Sequence, residues 1–427
     1  AYEGHFKADK RDGNGNSYYD NGQIDYQGEW KEDTADGHGT LYRKTGSKAY
    51  EGHFKASKRD GNGNSYYDNG QIDYQGEWKE DTADGHGTLY RKTGNKEYEG
   101  HFKASKRDGN GTQFFDNGKI SYQGEFMENK PHGHGTQYRE TGSKVYEGHV
   151  KAGKRDGNGT QFFDNGLIDY QGEWKEDTAD GHGTLYGKTG NKDYEGHFKA
   201  SKRDGNGTLY FDNGQIKYQG GWRHGLPHGH GTAYDGETGN KTYEGQFEKG
   251  TRHGSGTEYF DNGQVKYQGG WKKGMPHGHG TAYDGETGNK TYQGQFEQGT
   301  RHGSGIEYFD NGKVKYQGRW EYGLPHGHVT AYDSETGNKT YEGQLKKGEL
   351  DGSGTSYYAN GKVKYEGWWE ESVRHGNGTS YFDNGQISYQ GGFQNQLPHG
   401  HGTAYDGKTG NKTYEGQFEE GEWHGRG

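Results

Sequence analysis

Hydrophobic and polar positions alternate one by one along the chain, in short runs that never settle into a helical period. In QIDYQGEW (23–30), Ile24, Tyr26, Gly28 and Trp30 fall on one face and Gln23, Asp25, Gln27 and Glu29 on the other. A period of two predicts a strand with one face packed and one wet. The pattern recurs: Tyr followed two residues later by Gly stands at Tyr2, Tyr26, Tyr50 and onward to Tyr414, every 24 or 25 residues. Trp or Phe follows four residues after each Tyr, except at Val150 and Leu345, and then comes a Gly-x-Gly pair, broken only at Val329. Each unit predicts a β-hairpin. Seventeen full units and a partial one ending at Gly427 tile residues 1–427 as one continuous array with no separate domain.

The expected core of a unit is Tyr26, Gly28, Trp30, Gly37 and Gly39, and in the twelfth copy Tyr267, Gly269, Trp271, Gly278 and Gly280. Glycine inside a strand is a liability unless something uses the bare backbone, so both glycines of each pair are expected opposite a ring. Two kinds of connection alternate up to Tyr341, after which the units 341–364 and 365–388 both carry Asn-Gly turns. Asn21-Gly22 predicts a type I′ turn, while YRKTGSKAY (42–50) and YDGETGNKTY (234–243) read as longer loops. At the other end of the hairpins, KADKRD and KEDTAD lack a turn glycine, so the residues leave that geometry open. Short connections throughout give a meander. Thirty-five strands at ~4.8 Å each would form an all-β, single-layer ribbon on the order of 170 Å long, twisted, with the rings lining a groove.

Composition explains why rings must carry the packing. Hydrophobic residues are 24 %, glycine is 85 of 427 residues, and tyrosine alone supplies 37, so no thick aliphatic core can be assembled. The aromatic share of 15 % separates the chain from disordered sequences. Within the array, units 2–217 carry charged turns, whereas 218–427 carry turns rich in Gly, Pro and His. In the first half, Lys7, Lys10 and Arg11 are followed one hairpin later by Glu32, Asp33 and Asp36, which predicts a self-complementary edge. The net charge of −10 argues against a nucleic-acid partner and, more mildly, against anionic lipid. There is no apolar run near the ~18 residues of a membrane helix and no cysteine, and the start at Ala1 suggests a processed or trimmed N-terminus. The chain is expected to be soluble.

The consensus Y-x-G-x-W/F-x-x-G-x-x-x-G-x-G-x-x-x-Y, closest in YQGGWKKGMPHGHGTAY (267–283) and YEGQFEKGTRHGSGTEY (243–259), resembles the MORN repeat family. That resemblance implies an elongated, hairpin-built, non-catalytic scaffold, cytoplasmic or cytoskeletal, with phospholipid headgroups proposed as ligands for the family.

Candidate chemistry is sparse. The pairs His132/His134, His228/His230, His277/His279, His326/His328 and His399/His401 could each offer two imidazoles to a metal, but no third ligand accompanies them. Each first His follows a proline at a turn, and a turn or packing role is the simpler reading; Pro276, for example, is expected to bend its turn. Asp-Asn-Gly repeats read as turns rather than calcium loops, and Asn-x-Thr sequons such as Asn110 and Asn240 are open to glycosylation in a secreted setting. The breaks in the repeat (Val150, Val329, Leu345, Ala359, Trp368) contain no nucleophile or base, so neither catalysis nor a cofactor is expected. The leading expectation is a structural scaffold for protein–protein interaction, including end-to-end filaments built through terminal strand edges. Alternatives are a peripheral membrane binder using Lys55, Lys58 and Arg59, a glycan binder using the rings, and an extracellular filament.

Overall fold

The computed structural model describes residues 1–425, and they form thirty-six β-strands, β1 (Tyr2–Lys7) to β36 (Glu422–His424), with no helix among them. The end of the partial unit at Gly427 lies outside the described residues. The count exceeds the thirty-five expected because the incomplete last hairpin contributes the short β36. The strands fall into two compact units, Ala1–Gly214 and Gln215–Gly427. Within each, strands adjacent in sequence pair antiparallel, as the meander requires.

Hairpin β3 (Ile24–Lys31) and β4 (Thr34–Tyr42) shows how the first unit is built. Tyr26 faces Leu41 and Gly28 faces Gly39, and Gly39 in turn faces Gly52 of β5 (Lys48–Lys55), so glycines form a row across the strands. The Tyr26 ring lies on Gly39: a Cβ added there would stand 2.2 Å from the phenol oxygen. Gly280 is covered by Tyr267 in the same way. Only the second glycine of each pair has this role. Gly37 and Gly278 stand opposite Phe54 and Phe296 in register, as expected, but they adopt φ of +109° and +75° in a bulge and no ring lies over them.

The rings pack edge to face in zigzag runs, interrupted at Val150, at Leu345 and at Tyr316. Tyr26 touches Trp30 at 5.1 Å and Phe54 at 5.0 Å between centroids, and Tyr50 touches Phe54 and Trp78 at 5.1 and 5.3 Å. Tyr26, Trp30, Tyr267 and Trp271 are all buried. In seventeen units the core phenol donates to the carbonyl three residues on, at 2.8–3.1 Å. Tyr316 departs from this. Val329 stands where its glycine would be, and the displaced Tyr316 ring is only half-buried, with no such hydrogen bond among the described residues.

Turn chemistry differs from the sequence reading. Type I′ geometry belongs to the charged turns, with both central residues left-handed: Glu32 and Asp33 at +46° and +69°, Ala56 and Ser57 at +48° and +64°. The Asn-Gly turn has only Gly22 left-handed. Tyr19 N–H donates to Gln23 O and Gly22 N–H to Tyr19 O, which is a type I turn with a glycine bulge. The loop at Arg43–Ser47 makes the same two bonds, so in the first unit the two kinds of connection are one. Only the second unit's loops, such as 235–240, carry the extra residue, folded around Asp235 Oδ1, which accepts from Glu237 N, Thr238 N and Thr238 Oγ1. Pro276 does not bend a turn. It is the second residue of β24 (Met275–Tyr283), opposite Trp271, and its carbonyl accepts Gly299 N–H from the next hairpin.

Candidate functional site

Two faces and two edges are available for binding, and most of their groups are already satisfied. On the ring face, guanidinium groups close over the aromatics. Arg59 sits 4.1 Å from the Trp78 ring centroid, and its Nε lies 3.2 Å from Asp81 Oδ1 in the following turn. Arg11 repeats the arrangement with Trp30 and Asp33, and the Arg11 backbone N–H, together with its guanidinium, holds the Asp33 carboxyl below its ordinary range. Lys58 pairs with Glu80 at 3.7 Å. Basic and acidic turns of successive hairpins therefore neutralise each other along this edge.

At the opposite edge the Asp-Asn-Gly turns are stitched together. Asn21 Nδ2 donates to Lys44 O at 2.9 Å and Asn240 Nδ2 to Asp261 O at 2.8 Å. The sequon asparagine Asn240 already uses its amide in this way.

The polar face is where the sheet opens. Shallow troughs run over the glycine row between two rows of polar side chains. In the first unit one of ≈ 430 Å³ is lined by His134, Glu147, Asn158 and Gln171. In the second unit the trough reaches ≈ 800 Å³ between His279 and His328, with Ser304, Ile306, Gln317 and Arg319 on its walls. A neighbouring trough of ≈ 390 Å³ shares His328 and ends at Trp368.

These residues break the tiling. The position after the strand glycine is Gly221, Gly270, Arg319, Trp368 and Gly392 in successive equivalent strands, so Arg and Trp replace glycine in two of five. Ile306 stands where Thr257 and Thr355 stand in sister strands. Arg319 makes no ion pair among the described residues, and Trp368 is 58 % exposed. Trp368 is legible in the sequence as a break in the repeat, whereas Arg319 and Ile306 do not stand out against the whole array. Their signal is present within the second unit, where Ile306 departs from the Thr of its sister strands and Arg319 from the Gly of Gly221, Gly270 and Gly392.

Of the histidine pairs proposed from sequence, the second members, such as His230 and His279, lie on this trough row, exposed, opposite Gln246 and Gln295. Gln295 Nε2 lies 3.4 Å from His279 Nε2. The first members, His228 and His277, are half-buried at the bulge. Their counterpart His326 reaches back across its hairpin to Glu321 at 3.2 Å. Among the described residues no group of three or more His, Asp or Glu is placed to hold a metal.

The MORN repeat model matches in steps of 24 residues from 2–24 to 194–216, then at 218–236, 243–265, 267–285, 292–314, 316–328, 341–363, 389–408 and 414–427, and a variant of it matches 374–395. The chain belongs to the MORN repeat family. One match stops at residue 328, immediately before Val329. MORN membership and a repeated β-structure fit a scaffold or interaction role. No curated protein matches the chain. Similar solved structures include a TcdB2–TccC3 crystal structure, at 11 % identity and a TM-score of 0.13 over 94 % of this chain and 24 % of that one. A Photorhabdus luminescens Tc holotoxin pore matches at 12 % identity and a TM-score of 0.14, over 90 % and 21 %. The chain thus spans about a quarter or less of those structures' length. No helix among the described residues is long and apolar enough to cross a membrane.

Proposed function

We propose that this MORN array is a non-catalytic structural scaffold that binds protein partners through the polar-face trough of its second unit. One observation carries the reading: on a surface tiled from one motif, Ile306, Arg319 and Trp368 break the tiling on one face, along two neighbouring troughs that share His328. Arg and Trp are residue types on which protein interfaces concentrate binding energy, and here they replace glycine. The membrane alternative loses support because Lys58 and Arg59 are engaged by Glu80 and Asp81. The core rings are buried and offer no open face for a sugar to stack on.

The test exchanges Arg319→Gly and Trp368→Gly, the residue found in sister strands, and compares proteins co-purified with the two forms after cross-linking. Partners retained by the parent chain and lost by the double variant are expected; an identical set from both removes the trough from consideration. Head-to-tail filaments are the finer form of this proposal. Light scattering over a concentration series is expected to show rising mass, and a constant single-chain mass counts against filaments.

A further inference from the structure

The first unit carries a feature that the scaffold role does not use. On its polar face, His38 stands directly opposite His53, His86 opposite His101, His134 opposite His149 and His182 opposite His197. All eight side chains are exposed. Their ring centroids are 5.6, 6.0, 5.8 and 5.5 Å apart, with the planes at 88–90°. Only one residue of one of these pairs, His134, belongs to a His-x-His motif, because cross-strand partners are fifteen residues apart in sequence. The second unit holds the same backbone position with one histidine exchanged: His230 faces Gln246, His279 faces Gln295, His328 faces Gln344 and His401 faces Gln417.

We propose that each of the four cross-strand histidine pairs binds one divalent transition-metal ion of the zinc, nickel or copper class, with water completing its coordination. Metal–nitrogen bonds of about 2.0–2.1 Å place two imidazole centroids sharing one ion about 4.5–5.2 Å apart at coordination angles of about 90–109°, a little closer than the separations observed. Neutral imidazole suits these borderline ions, whereas calcium and magnesium call for oxygen donors. Exposed rings reach the chelating rotamer by rotation about side-chain bonds alone. Successive pairs are four strands, or ~19 Å, apart, so each binds independently and the stoichiometry is a direct readout. All four pairs lie in the first unit, which leaves the trough of the second unit free.

The measurement is equilibrium dialysis of the full chain against Zn²⁺, Ni²⁺ or Cu²⁺ at neutral pH, with bound metal counted per chain. Four ions are expected. Exchanging His53→Gln, His101→Gln, His149→Gln and His197→Gln together recreates the His–Gln pairs that the second unit already accommodates, and is expected to abolish these four ions while circular dichroism stays unchanged. The complementary variant Gln295→His, which rebuilds a pair opposite His279, is expected to add one ion. It keeps the test decisive if the fourfold variant misfolds. A parent chain that binds no ion, a folded fourfold variant that binds as many as the parent, or a Gln295→His variant that gains none would each overturn the proposal.

Discussion

The five prolines and the turn glycines of the following hairpins occupy matched positions. Gly153, Gly250, Gly299, Gly348 and Gly421 each donate N–H to the carbonyl of Pro131, Pro227, Pro276, Pro325 and Pro398, respectively. Where the turn residue is serine, the earlier residue has an N–H to satisfy: Ala35, Ala83 and Ala179 donate to Ser57, Ser105 and Ser201 Oγ at 3.1 Å. In these five pairs proline removes the donor at the place where glycine removes the acceptor, whereas Gly274 and Gly323 are matched to Arg252 and Arg301. Pro276→Ala should therefore destabilise the second unit by about 1 kcal/mol, and adding Gly299→Ser should recover most of the loss. Urea unfolding of the two single variants and the double variant measures this coupling; strictly additive effects would refute it. The glycines beneath rings are a second constraint at this scale. Gly280→Ala puts a methyl 2.2 Å from the Tyr267 hydroxyl, and a loss of roughly 1–3 kcal/mol is expected from the ring's displacement. Val329→Gly should do the reverse and return Tyr316 to its hydrogen bond, seen as slower hydrogen exchange in β27 (Val314–Glu321).

At the level of the element, strands were legible in the sequence and turns only in part. Alternation from Ile24 to Trp30 exposes the buried face directly, and ring packing then follows because nothing else in the chain can fill it. The type I′ turns were hidden because their residues look wrong for the conformation. Ala200 and Ser201 are left-handed at +47° and +61° with no glycine, held by bonds from the neighbouring hairpin that no local motif announces. Such a turn keeps its strain only while its neighbours stay in place. Ala200→Gly, ordinarily a destabilising exchange in a strand-rich protein, is expected to raise stability here by about 1 kcal/mol. Thermal unfolding checks the sign. The candidate site was legible to the same partial degree: Trp368 stood out as an aromatic on a polar face, whereas the cross-strand histidines were invisible until register joined residues fifteen apart.

Across the whole molecule, the repeated phenols set a common limit at high pH. Burial, the leading cause, pushes Tyr98, Tyr146, Tyr267 and Tyr292 up to about 12. An unfolded phenol ionises near pH 10. A folded-state value above the unfolded one favours the protonated fold, so this contribution is complete below about pH 10 and is lost as pH rises through about 12. Because the same group recurs in nearly every hairpin, tyrosinate absorbance and loss of β-sheet circular dichroism are expected to rise together over that window. Ionisation running well ahead of unfolding would contradict the expectation.

The stitching between hairpins joins each one to the next along the chain, with bonds donated both forward and back. Ala35 waits for Ser57, Arg11 for Asp33 and Asn21 for Lys44, each about one hairpin later in the chain. A chain emerging from the ribosome therefore presents a finished edge to every new hairpin, and each arrival caps the polar groups of its predecessor before the next is made. No contact in such a scheme waits for a distant segment. A synthesis intermediate of any length would be folded up to its last completed hairpin, with only the groups that face the next hairpin unpaired.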